Sequence, residues 1–118
     1  CNKIFLLQCN SAYPSPPEEC NVAVISRYAE YSKSFSNVIP GYSSHDIGYM
    51  ASCMAISAGA KMIEKHVKLR SNDWSHFDSV ALELHTDEFK DFVSQIRLAE
   101  KIYGSSRKKI NSNEHHKY

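Results

Sequence analysis

The feature that most restricts this fold is the run Ile4–Cys9, I-F-L-L-Q-C, apolar at nearly every position before a loop too rich in proline to continue it. A strand with one wet face alternates, whereas a continuous apolar run of this length reads as a strand covered on both faces, as in parallel sheets. Asn10 to Pro17, with Ser11, Tyr13 and three prolines, can only be loop. Pro17-Glu18-Glu19 then opens a helix, with proline near the first turn and acids at the positive end of the dipole. Val22, Ile25, Ala29 and Ser32 make one stripe, widened by Val24, Tyr28, Tyr31 and Phe35, and carry that helix to about Ser34.

The pattern repeats twice. Asn37–Ser43 gives a short strand, weakened by Pro40 and Gly41. Ile47–Gly59 follows as a small, apolar, buried helix, capped by Ser44 or Asp46 and closed by Gly59. Ala60–Leu69 reads as a third strand, Arg70–Leu84 as a polar loop carrying Trp74, His76 and Asp78, and Thr86-Asp87-Glu88 starts a last helix that Gly104 stops. Phe89, Phe92, Val93, Ile96, Ala99 and Ile102 are its core positions. The order strand, helix, strand, helix, strand, helix means consecutive β/α units on a parallel sheet.

In such sheets the chemistry collects at the carboxyl ends of the strands. Asn10, Ser11 and Tyr13 follow the first strand, Ser43 and His45 the second, and Glu64 and His66 end the third. Alternation puts Met62, Glu64 and His66 on one face and Ile63, Lys65 and Val67 on the other. An acid and an imidazole at the end of a buried strand are costly unless paired or ligating; the alternative is an edge strand whose Glu64 and His66 meet solvent. Two histidines on neighbouring strand ends offer two nitrogens to a divalent metal and leave positions for water and substrate; the alternatives are that His45 is a helix-start residue bonded to backbone and Ser43 a turn residue.

Composition narrows the class. The 118 residues allow one modest domain, and a net charge of +1 lacks the basic stripe of a nucleic-acid binder. Arg107-Lys108-Lys109 is a solvated cluster, and Ser105–Tyr118, with His115-His116, is a polar tail or linker after a domain spanning 1–104. No apolar run approaches a membrane span and no leader pattern is visible, so a cytoplasmic location is expected. Cys1, Cys9, Cys20 and Cys53 lack metal-knuckle spacing and are expected as reduced thiols, Cys9 and Cys53 as small buried hydrophobes. The opening on Cys1-Asn2-Lys3, without methionine, suggests a piece of a longer chain.

Read together, L-L-Q-C-N-S-A-Y-P-S-P-P-E (Leu6–Glu18), G-Y-S-S-H-D-I-G (Gly41–Gly48) and G-A-K-M-I-E-K-H (Gly59–His66) resemble the N-acetylneuraminate (sialic acid) synthase family over nearly all of Ile4–Gly104. The chain departs from that pattern at Ser44, where glycine is common, and at Ser75–Ser79, which stands in place of G-x-D-H. The resemblance implies the last three units of a (β/α)8 barrel. It implies condensation of phosphoenolpyruvate with N-acetylmannosamine or a related N-acetylated amino sugar, by metal polarisation of the sugar aldehyde, attack by C3 of phosphoenolpyruvate, water addition at C2 and loss of phosphate. By the same likeness His45 and His66 are metal ligands, for Mn2+ or Mg2+, and Glu64 is the catalytic acid beside the metal. Ser11 and Ser43 are contacts to phosphoenolpyruvate, and Tyr13 and Asp78 contacts to the sugar. A whole barrel takes about 250 residues, so the chain is expected to pair with a second copy or with the remaining barrel portion, and to be inactive alone. Two other readings stay open: another phosphoenolpyruvate-condensing synthase of the octulosonate-phosphate type, and a non-catalytic partner-binding fragment.

Overall fold

The computed structural model describes residues 2–70 and 79–114, and of Asp78 the backbone alone. Cys1, Trp74, His76, the side chain of Asp78 and His115-His116 therefore lie outside the described residues. Three strands, β1 (Ile4–Cys9), β2 (Val38–Ser44) and β3 (Met62–Lys65), form a parallel sheet in that order. Helices α1 (Val24–Ser34) and α2 (Met50–Ser57) connect them, and α3 (Glu88–Tyr103) follows. The chain is thus α/β, with parallel strands and intervening helices. Among the described residues no helix is long and apolar enough to cross a membrane.

One face of the sheet carries the core. Tyr42 and Ile63 point from β2 and β3 toward Ile25 of α1, Ala55 of α2 and Ala60, with Val22, Ala51 and Ala58 around them. The opposite face is set by register: Leu7, Gly41 and Met62 share one row and Cys9, Ser43 and Glu64 the next. A Cβ on Gly41 would meet the Leu7 side chain and lie 2.7 Å from the Met62 carbonyl oxygen. The glycine that weakens β2 on propensity is what lets three backbones close together. Gly41→Ala is expected to lower stability by about 1–3 kcal/mol, the cost of overpacking against backbone that cannot yield; a urea midpoint equal to that of the unsubstituted chain would remove this role.

Local chemistry redraws several boundaries. The expected helix from Pro17 is interrupted: Pro17–Glu19 forms a 3-10 turn, and α1 begins only at Val24. Asn21 takes φ 47°, a left-handed conformation that Asn tolerates, and its amide donates to Glu19 O at 3.2 Å. The second helix starts at Met50 rather than Ile47, and neither Ser44 nor Asp46 caps it, because both are bonded within the strand end instead. It is also less buried than expected, with Met50 67% and Met54 55% exposed and only Ser52 and Ala55 fully buried. Gly59, at φ 108°, does close it.

Ala60–Leu69 is not one strand. β2 ends at Ser44, opposite Lys65, so His66 has no further backbone row to join on that side. The chain turns instead to β4 (Val67–Lys68), which pairs in parallel with β5 (Leu82–Glu83) inside the stretch expected to be loop. The apolar Val80-Ala81-Leu82 is the signal for it, and Val80 and Ala81 are buried. The last helix matches in extent, ending at Gly104 with φ 60°. Only Phe92 and Ile96 of its stripe are buried, while Phe89, Val93 and Ile102 are exposed. Cys9 is exposed and Cys53 half-buried; the buried thiol is Cys20, which donates to Pro16 O.

Candidate active site

The carboxyl ends of β1, β2 and β3 bring five of the expected residues into two contact groups. Ser43, buried, donates from Oγ to Glu64 Oε1 at 2.8 Å across the β2–β3 register pair. Glu64 itself is exposed. One step beyond this row, His45 and His66 approach with ring centroids 5.1 Å apart and planes tilted by 45°. Tyr13 lies across both: it stacks on His45 at 4.4 Å and 27°, and meets His66 edge-on at 5.6 Å and 71°.

His45 is 6% exposed and its orientation is fixed from several sides. Its Nδ1 lies 2.6 Å from the backbone carbonyl oxygen of Asn10. A carbonyl oxygen only accepts, so Nδ1 carries the proton, and in the neutral ring Nε2 holds the lone pair. Nε2 lies 3.5 Å from the Tyr13 hydroxyl, and the Cys9 sulfur sits 3.7 Å from Nδ1 and 4.0 Å from Nε2. The His45 carbonyl accepts from Ser15 N at 2.9 Å. Asn10 Oδ1 in turn accepts from Ala12 N at 2.8 Å and from Ser15 Oγ at 3.3 Å, which pins the loop that carries Tyr13.

A ligating histidine with its other nitrogen bonded to a carbonyl is the arrangement metal sites use to fix the tautomer. The donor set therefore fits a divalent cation through His45 Nε2 and the His66 imidazole. Among the described residues no group of three His, Cys, Asp or Glu side chains gathers as a metal cluster.

Behind the site, on the helix-facing side, lies a buried polar group. Tyr42 OH and Ser44 Oγ both donate to Asp46 Oδ1 at 2.8 Å, and the Lys65 ammonium donates to Ser44 Oγ at 3.1 Å and to Asp46 O. Burial, reinforced by hydrogen bonding to Cys20 and then to Asp46, pushes the Tyr42 hydroxyl far above the usual tyrosine range, so it stays a donor. Burial also lowers the Lys65 amine from its ordinary value, with Asp46 opposing the shift.

Of the other expected contacts, Ser11 is exposed on the loop after β1, and the side chain of Asp78 lies outside the described residues. Sequence patterns place Asn10 on the rim, Asp46 at a helix start and Lys65 on the far face of its strand without revealing the contacts they make, and they do not single out Ser15. Asn10 and Ser15 hold His45 through backbone atoms, which side-chain patterns do not reveal. Lys65 was placed on the far face, correctly, and that made it look irrelevant.

The NeuB family model matches residues 1–108. The chain is 40% identical to N-acetylneuraminate-9-phosphate synthase of Mus musculus over 104 residues, 88% of this chain and 28% of that protein. It is 36% identical to pseudaminic acid synthase of Campylobacter jejuni, over 88% of this chain and 29% of that one. The solved structure of N-acetylneuraminic acid (sialic acid) synthetase from Leptospira borgpetersenii in complex with citrate superposes with TM-score 0.71 and 26% identity, covering 92% of this chain and 36% of that chain. The chain spans less than a third of the length of the two curated relatives named here.

Proposed function

This chain belongs to the NeuB family, and from that premise we propose that it is the part of a nonulosonate synthase that carries the metal-binding histidines. The reaction is condensation of phosphoenolpyruvate with N-acetylmannosamine or a related N-acetylated amino sugar, with release of phosphate, in the cytoplasm. Residues 1–104 form the last three units of a (β/α)8 barrel, and 105–118 lead out of it. The observation that carries this reading is the convergence of the His45 and His66 rings under Tyr13 at the strand ends.

His45 and His66 would hold Mn2+ (or Mg2+), which when bound supplies Lewis-acid polarisation of the sugar aldehyde. The chain's own groups do the rest of what is on the page. Ser43 holds one oxygen of the exposed Glu64, and the carboxylate would take a proton from water or return it. Tyr13 closes one side of the imidazole pair and offers its hydroxyl toward the acceptor sugar. Ser11 and Ser43 lie at the ends of β1 and β2, where a phosphate or carboxylate of phosphoenolpyruvate would meet hydroxyls, Ser43 donating only by turning from Glu64; Asp78 is the proposed contact to the sugar.

Among the described residues β1 and β3 each pair with β2 alone within their sheet, and Phe5 on β1 is 50% exposed. Unpaired edges favour association, with a second copy or with the remainder of a barrel. The 118-residue chain, incubated with phosphoenolpyruvate, N-acetylmannosamine and Mn2+, is accordingly expected to release no phosphate above the blank. The Mn2+-loaded chain is still expected to bind phosphoenolpyruvate in a calorimetric titration, and to lose that binding with His66→Ala. Robust product from the chain alone contradicts the division of labour; no binding of phosphoenolpyruvate contradicts the function.

A further inference from the structure

Lys65 stands between Glu64 and His66 in the chain, yet its side chain leaves from the opposite face of β3 and crosses to the end of β2. Its ammonium bonds Ser44 Oγ at 3.1 Å and the carbonyl of Asp46, the residues immediately before and after His45. It lies 5.8 Å from the centre of the buried Phe92 ring.

The position matters because the backbone stops joining these segments just there. The β2–β3 register ends with the pair Ser44 and Lys65, so His45 and His66 both lie beyond the last shared row. Past it, the two segments take different backbone partners: His45 O accepts from Ser15 N, and His66 O from Leu82 N, each at 2.9 Å. The two rings thus hang on diverging pieces of chain. A single side chain rooted beside His66 and bonded on both sides of His45 spans that gap.

We propose that Lys65 is a positioning residue: by tying the end of β3 to the Ser44–Asp46 segment, it sets the spacing of the His45 and His66 rings. A half-buried ammonium against an aromatic ring is a poor choice for packing alone, since an apolar side chain would fill the same space without the desolvation cost. The ammonium supplies directed bonds to two fixed acceptors, which no apolar residue can. The consequence for metal binding rests on the function proposed above; the effect on ring spacing does not.

Lys65→Met keeps the stem against Phe92 and removes the donors. In the metal-free chain, nuclear Overhauser contacts from the Tyr13 ring to the His66 ring are expected to weaken or vanish, and Mn2+ affinity to fall by about tenfold or more. Ile63→Val, on the same strand in the core, serves as the control for general loosening: it is expected to lower the unfolding midpoint while leaving ring contacts and Mn2+ affinity unchanged. Ser44→Ala removes one acceptor and is expected to shift the same contacts by less, which keeps the test alive should Lys65→Met fail to fold. Intact ring contacts in both variants, with Mn2+ affinity within about twofold of the original, overturn the proposal, as does an equal loss in Ile63→Val. If the unsubstituted chain takes up no Mn2+, the metal reading fails separately, and the ring contacts alone decide on Lys65.

Discussion

Replacing His45 with alanine is expected to weaken Mn2+ binding by more than about a hundredfold, beyond the 10–100-fold that loss of an outer-shell partner brings. The imidazole is buried, its Nδ1 proton is committed to Asn10 O, and its Nε2 lies 3.5 Å from the Tyr13 hydroxyl, with the His66 ring 5.1 Å away between centroids. On the function proposed above, its removal would delete one of the two histidines that hold the metal. His66→Ala is expected to do the same. His85→Ala, at an exposed position, is the control and should leave affinity unchanged. Calorimetric titration of the folded variants reads the difference, and Mn2+ binding within about threefold of the original in His45→Ala would remove the metal centre from the account.

The second large effect is on stability. Asp46→Ala is expected to cost about 2–5 kcal/mol, because it strips the acceptor from two donors in the interior, at about 1–3 kcal/mol for each group left unsatisfied. Tyr42 is 1% and Ser44 0% exposed, so neither hydroxyl can turn to bulk water. Asp46→Asn keeps an oxygen for the same two hydroxyls and should cost distinctly less. Urea unfolding followed by the tyrosine signal measures both. A midpoint for Asp46→Ala equal to that of Asp46→Asn would show that the carboxylate oxygen is not what satisfies Tyr42 and Ser44.

How much of this could be read beforehand follows from which interactions are local. The order of strands and helices was legible, because each apolar run and stripe, and the stops at Gly59 and Gly104, act over a few residues. Face alternation set Glu64 and His66 apart from Lys65, as the side chains lie. The rest depends on partners distant in sequence. Nothing near Asn21 shows that Cys20 will be buried and the helix delayed. Nothing in Ala60–Leu69 shows that β2 will end opposite Lys65 and that β5 will take over beyond it. Asp46 looks like a helix cap, and becomes a strand-end acceptor only because Tyr42 and Ser44 reach it first. The roles of Ser11 and Asp78 stay with the family resemblance: Ser11 is exposed on its loop, and the Asp78 side chain lies outside the described residues.

The claim on which the function turns is that the His45 and His66 imidazoles, carried by neighbouring strand ends, hold one divalent cation. Anomalous diffraction from crystals of this chain soaked in Mn2+ tests it most directly. The expected result is a single manganese peak between His45 Nε2 and the His66 ring, under Tyr13. A peak elsewhere, or none at that position with the rings as described, contradicts it.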